Sequence, residues 1–241
     1  MIANSLGFGG ATRSHSRNMA RLARQLLFLI FIGAAPALLA TTSAEAGGCD
    51  NQTVSTSDKA EQLSSAVLIN EHHATPYGER HAGSVCWSLE RVKTAGQRDR
   101  LVVHADVDIP DIGMKMAMDI SQNAEGSSAA SHFVVMTFEQ PKDAAGGEVV
   151  SVPGLMLKNS ERAKGTPLAA QATKIAKGSF LVGLSNRESD RSRNLQLLKE
   201  RSWFDIPLFY ASQRRGILAI DKGYRGGQIF HEAIVEWERL R

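Results

Sequence analysis

Glu71, His72, His73, Glu79 and His81 crowd one polar stretch of the chain. Imidazoles beside a carboxylate are the ligand set that suits Zn or Cu, so His72, His73 and His81 are the candidate metal ligands. Adjacent residues of an extended chain point to opposite sides, so His72 and His73 could grip one ion only across a turn. A solvated loop over residues 71–83 is the simpler reading, and no cofactor is expected. Met114, Met116 and Met118 could suggest Cu(I), which thioethers bind. Their strict alternation, continued by Ile120, places them instead on one strand face as core packing.

Hydrolysis by a serine nucleophile would need a histidine and an orienting acid close to it. Gly183-Leu184-Ser185-Asn186 lacks the second glycine of a nucleophile elbow. Ser185 reads better as the cap of a following helix. His104 shares a strand face with Asp106 and Asp108 in a polar stripe, and His132 sits on another strand. Carboxylates paired on an exposed strand face serve solvation more often than acid–base chemistry. Gly223-Tyr224-Arg225-Gly226-Gly227 could offer amides to an anion, but it lacks the Lys-Ser/Thr ending of a phosphate loop and reads as a turn into a helix. Arg187, Arg191, Arg193, Lys199, Arg201, Arg214 and Arg215 make the C-terminal third locally basic, interleaved with Glu188, Asp190 and Glu200. Ion pairing and solvation account for that pattern; an anionic envelope polymer or lipid head group is the partner it would attract.

The elements that must position these side chains are mostly strands. Val85, Trp87 and Leu89 alternate with polar residues, as do Leu101 to Ile109 and Met114 to Ile120. Such a period of two means one buried and one wet face. Phe133 to Phe138 is apolar on both faces and fits a central strand. Val149–Val152, Leu168–Ile175 and Phe180–Leu184 are further strands, and 203–221 reads as a hairpin. Pro207, having no N–H, places its strand at an edge or a bulge. Asp58-Lys59-Ala60-Glu61 has capping-box spacing and predicts a short helix through Leu63 and Val67. Ser185-Asn186-Arg187-Glu188 predicts a helix near 187–200, and Phe230, Ala233, Ile234 and Trp237 predict another near 227–239 behind Gly226-Gly227. Strands in succession without regular intervening helices predict a mainly β fold, an antiparallel β-sandwich or flattened barrel.

The N-terminus carries a different kind of signal. Arg13, Arg17, Arg21 and Arg24 precede an uncharged apolar stretch from Leu26 to Ala40, followed by Ser43-Ala44-Glu45-Ala46. That order is read by signal peptidase, with cleavage between Ala46 and Gly47 and delivery to the periplasm. The apolar stretch is shorter than the ~20 residues a bilayer core needs, so no stable membrane span is expected after cleavage. A lipoprotein at Cys49 would want a large aliphatic residue where Ala46 stands. The domain plan is a signal peptide over 1–46, a flexible arm or short helix over 47–65, and one β-rich domain over 66–241. The chain has 28 Lys+Arg and 25 Asp+Glu; residues 1–46 hold four arginines and Glu45, leaving 24 of each sign. Nucleic-acid binding thereby loses its electrostatic argument. Cys49 and Cys86 are the only cysteines. Both fall in the exported part, where an oxidising compartment favours one disulfide closing a loop of about 37 residues.

Three segments carry a family likeness: Ala105-Asp106-Val107-Asp108-Ile109-Pro110, Phe180-Leu181-Val182-Gly183-Leu184-Ser185, and the long run from Arg193 to Pro207 that continues as Arg215 to Gly223. Over most of residues 66–239 the chain resembles an uncharacterised domain of exported or membrane-anchored proteins from rhizobia and related alphaproteobacteria. That resemblance implies no defined activity and no catalytic residues. The C-terminal order of strand, helix, hairpin and closing helix is also similar to invasion-associated locus B proteins, which are small β-rich periplasmic proteins. Together these features point to a non-catalytic periplasmic module that binds or supports an envelope protein or polymer. A small periplasmic hydrolase and a metal-binding protein using the His72–His81 loop are the alternatives.

Export should yield a chain whose first residue is Gly47, read by N-terminal sequencing. Both cysteines of that chain should resist alkylation until a reductant is added.

Overall fold

The computed structural model describes residues 63–72, 75–93, 99–123, 129–144 and 146–239. The described part opens with an antiparallel meander of five strands. These are β1 (Leu63–His72), β2 (Thr75–Val92), β3 (Arg100–Ile109), β4 (Met114–Gln122) and β5 (Ala130–Glu139). A 3-10 turn, Pro110–Ile112, joins β3 to β4 and closes on Gly113 in the left-handed region, φ 62°. Four short strands follow: β6 (Val149–Ser151), β7 (Met156–Lys158), β8 (Thr166–Pro167) and β9 (Ala170–Ala176). Then come β10 (Ser179–Ser185), α1 (Glu188–Glu200), β11 (Trp203–Tyr210), β12 (Arg215–Asp221) and α2 (Gly223–Arg239).

All the strand pairings are antiparallel, and they form one sheet in the order β8-β7-β11-β12-β1-β2-β3-β4-β5-β10-β9, with β6 also on β11. The outermost members, β8 and β9, are separated in sequence by only Leu168 and Ala169. A two-residue link cannot span a flat sheet of this width, so the sheet curls until its edges meet. The fold is therefore mainly β, and the flattened-barrel expectation is met by a curled half-barrel instead of two stacked layers.

Alternation decides which side is the inside. Ala66 and Leu68, Val85 and Trp87, Val103 to Ile109, and Phe180 to Leu184 all contribute every second residue to one core. Met114, Met116, Met118 and Ile120 join them, each at most 2% exposed, as the alternation requires. The helices cover the inner face at one end. α1 adds Leu195, Leu197 and Leu198; α2 adds Ile229, Phe230, Ala233, Ile234 and Trp237. Trp87 meets Phe230 edge-on at 5.2 Å and Phe204 at 5.8 Å, a geometry that suits the ring quadrupoles. α2 can lie this close because Gly226 faces Trp87; a Cβ there would stand 2.9 Å from the indole Cδ1.

Several expectations are corrected. Leu63 to Val67 form part of β1 and not a helix, because both faces of this segment find strand partners, β2 and β12. The described parts of 71–83 belong to the long β1–β2 hairpin, not a solvated loop. The predicted strand over 168–175 is found as β9 from Ala170 onward, while Leu168 and Ala169 form the link from β8 at the other sheet edge. α2 starts at Gly223, one turn before Gly226-Gly227, because the Asp221 carboxylate accepts the Gly223 N–H at 3.0 Å and opens the helix earlier. Pro207 sits in an interior strand. Its missing N–H costs no ladder bond, since β7 pairs with Trp203 to Asp205 and β6 with Phe209 and Tyr210, leaving Pro207 between them.

Gly83 on β2 is packed so closely against β3 that a Cβ would stand 2.2 Å from Asp108 O and 2.4 Å from Ile109 Cδ1. Gly83→Ala should therefore cost about 1–3 kcal/mol in chemical denaturation. Gly154→Ala, which meets nothing within 4 Å, should change stability by less than ~0.5 kcal/mol.

Candidate functional site

The ladder registers place Ser88, His104, Asp119 and Val135 in one row across the outer face of β2 to β5. His104 is 7% exposed. Its Nδ1 lies 2.5 Å from Asp119 Oδ1 and its Nε2 3.1 Å from Asp106 Oδ2. Burial alone would push this imidazole down; the hydrogen bonds and charges of Asp106 and Asp119 outweigh that and raise its pKa to about 10. His104 is thus an imidazolium at neutral pH, with both ring N–H groups donating. It joins β3 to β4 electrostatically and cannot serve as a general base there. In a neighbouring row Asp108 stands opposite Lys115, and Lys115 opposite Glu139, so the outer face carries charges of alternating sign.

His132 has the opposite environment. It is 1% exposed on the inner face of β5, its ring tilted at 59° against Trp237 with centroids 5.0 Å apart. Burial, and then the Arg191 charge, lower its pKa to about 4. Ser131 Oγ donates to the main-chain oxygens of Leu184 or Ser185, at 3.3 and 3.1 Å, and lies 3.1 Å from His132 Nδ1. With its proton held by a carbonyl, that hydroxyl is not an activated nucleophile.

Three further buried ionisable groups, Lys222, Lys158 and Asp205, escaped the sequence reading. Lys222 is 2% exposed at the junction of β12 and α2. Its Nζ donates to Leu198 O in the last turn of α1 and stands 4.2 Å from the Phe230 ring centroid. Burial lowers its pKa to about 7, against a smaller opposing pull from Asp221. A signal existed: Lys222 extends the inward alternation of Leu218 and Ile220. On the outer face, Lys158 Nζ and Asp205 Oδ1 form a buried pair at 2.5 Å. Burial raises the Asp205 pKa while Lys158 draws it back. From Lys158 the chain reaches across the outside of β11, β12 and β1, and Glu161 pairs with Arg80 of β2 at 3.0 Å. No local pattern announces that crossing.

The sequence-predicted residues are scattered. His81 lies on the inner face opposite Leu68, flanked by Glu79 at 3.7 Å and Asp111 at 3.8 Å. His72 is four positions along β1 from Leu68, roughly 13 Å away, so it does not share an ion with His81. His73 lies outside the described residues, as do Ala46, Gly47 and Cys49. Among the described residues no three His, Cys, Asp or Glu side chains are placed to hold a metal. Cys86 is buried on the outer face of β2 opposite Leu63, and no described cysteine is free. Ser185 precedes α1 but does not cap it; Arg187 is the N-cap, and Ser185 Oγ donates to Asp190 at 2.8 Å. The basic residues do not form one patch. Arg214 and Arg215 lie at the β11–β12 tip, where Arg214 donates to Glu71 O, while the others sit on and beside α1, roughly 25 Å off along β11. No described helix is long and apolar enough to cross a membrane.

No protein-family model, curated protein or solved structure matches the chain.

Lys222 gives a pH signature. Its folded pKa of about 7 lies below the ordinary 10.5. Between those values the unfolded chain holds one more proton than the folded one, so stability rises with pH. The slope should approach 1.4 kcal/mol per pH unit, as an order-of-magnitude ceiling of about that size. Lys222→Met should flatten the rise in urea titrations run from pH 7 to 10.

Proposed function

We propose that this chain is a non-catalytic periplasmic module that binds or supports an envelope protein or polymer. One observation carries the reading. The ionisable groups whose environments most alter them are each engaged by the chain's own atoms, on separate elements. His104 is clamped by Asp106 and Asp119 outside β3, His132 is packed against Trp237 inside β5, and Lys222 is fixed to Leu198 O beneath the helices. Catalysis by acid, base or nucleophile needs such groups to converge on one reacting atom. Their dispersal favours recognition over turnover. The inner face near the helices is occupied by Trp87, Phe204, Phe230 and Trp237, which favours recognition from the outside.

The test uses the chain from Gly47 onward, immobilised and offered a detergent-solubilised envelope fraction. Saturable retention of one component is the expected result. Ester, phosphoester and peptide substrates should turn over no faster than with the His132→Ala variant. Turnover that this substitution removes would replace the module with a hydrolase.

A further inference from the structure

The two edges of the curled sheet meet unevenly. β8 pairs with β7, and the Leu168 N–H donates to Leu155 O at 2.9 Å. The next residue is held by side chain: the Asn194 amide accepts from Ala169 N and donates to Ala169 O, both at 2.9 Å. From there β9 bonds only to β10 among the described residues. Further along, Glu148 receives Lys174 at 3.7 Å and Lys177 at 3.0 Å. The seam is stitched at its two ends and not along its length.

From Ala170 to Lys174 this strand edge is regular, and a register irregularity at Ile175 follows. Ala170–Ala176 contains no proline, and every second N–H and C=O of an edge strand points away from its one partner. Ala170 and Ala172 pack against the core with small side chains, while Gln171 and Thr173 are exposed on the other face. On the core side an incoming strand would meet only the alanine methyls of Ala170 and Ala172 before it reaches Lys174.

We propose that the free edge of β9 takes up an extended, acidic segment of a partner protein as an added strand. The partner's carboxylates replace Glu148 at Lys174 and Lys177. This rests on the reading of the chain as a binding module. Charge selects the occupant. A second copy laid along the same edge would bring Lys174 and Lys177 of both copies onto one short ladder, where like charges repel. Edge lysines are a common guard against self-pairing. A carboxylate-bearing strand turns the same guard into attraction, and main-chain hydrogen bonds supply the rest of the affinity.

The probe is an acetylated and amidated peptide, Glu-Val-Thr-Val-Glu-Val-Thr, with a lysine-for-glutamate version as control. Hydrogen exchange of the intact mature chain is followed during titration. The acidic peptide should slow the outward amides of Ala170–Ala176 by about tenfold or more, with no slowing on other strands, and the lysine version should not. Glu148→Gln, which frees both lysines, should tighten binding a few-fold; Lys174→Glu with Lys177→Glu should weaken it by about tenfold or more. No slowing at β9 with millimolar acidic peptide overturns the proposal. So does slowing located on another strand, or equal binding by the doubly reversed variant. Each of these leaves the module reading standing, because that reading falls on the envelope capture and the turnover assay.

Discussion

A lysine buried among aromatic rings joins the last strand to both helices, and the closed end of the half-barrel depends on that junction. Lys222 N–H donates to Ser202 O, its Nζ to Leu198 O, and its own carbonyl accepts Ser64 Oγ from β1. One residue earlier, Asp221 O accepts the Trp87 indole N–H at 2.8 Å, and the Asp221 carboxylate opens α2. Removing an ammonium from water costs several kcal/mol. Here the negative end of α1 and the face of Phe230 offset part of that cost. The depressed pKa of Lys222 shows that the offset is incomplete. What the arrangement secures is geometry: three consecutive residues set the positions of α1, α2 and β1 relative to one another.

The curled sheet poses a second constraint, which is how to finish. A sheet with its two outermost strands contiguous in sequence must bring its edges together, yet full backbone closure would require a ladder along the seam. The chain uses two short strands, β6 and β7, along the length of β11, with Pro207 in the gap between them. Around β9 it uses side-chain ties, from Asn194 of α1 to Ala169 and from Glu148 beside β6 to Lys174 and Lys177. The result is a half-barrel whose β9 makes ladder bonds to β10 alone among the described residues.

His104 and His132 illustrate how far environment outweighs residue type. Both sit on strands and both are buried. One faces outward between two aspartates and is lifted to about 10; the other faces inward against Trp237 and Arg191 and is lowered to about 4. Neither titrates near neutral pH. His104, held between Asp106 and Asp119, is therefore a fixed positive charge on the outer face.

The sequence by itself determined the strand content, the inward face of each strand, the methionine stripe, the β11–β12 hairpin and the approximate positions of both helices. Each of these follows from short-range periodicity, and burying alternate residues needs only one covered face. It did not determine that 63–72 and 75–83 are strand: their polar residues mimic a loop, and pairing of β1 with both β2 and β12 satisfies its backbone. Nor could it determine the junction at Lys222, the Lys158–Asp205 pair or the seam. Those depend on residues far apart in the chain meeting across a curled sheet. Spacing along the chain carries no record of which charge will find which carbonyl. His72 and His81 stand apart for the same reason: neighbours in sequence, they are separated by the hairpin that pairs their strands. Local pattern set the faces, and long-range closure set the sites.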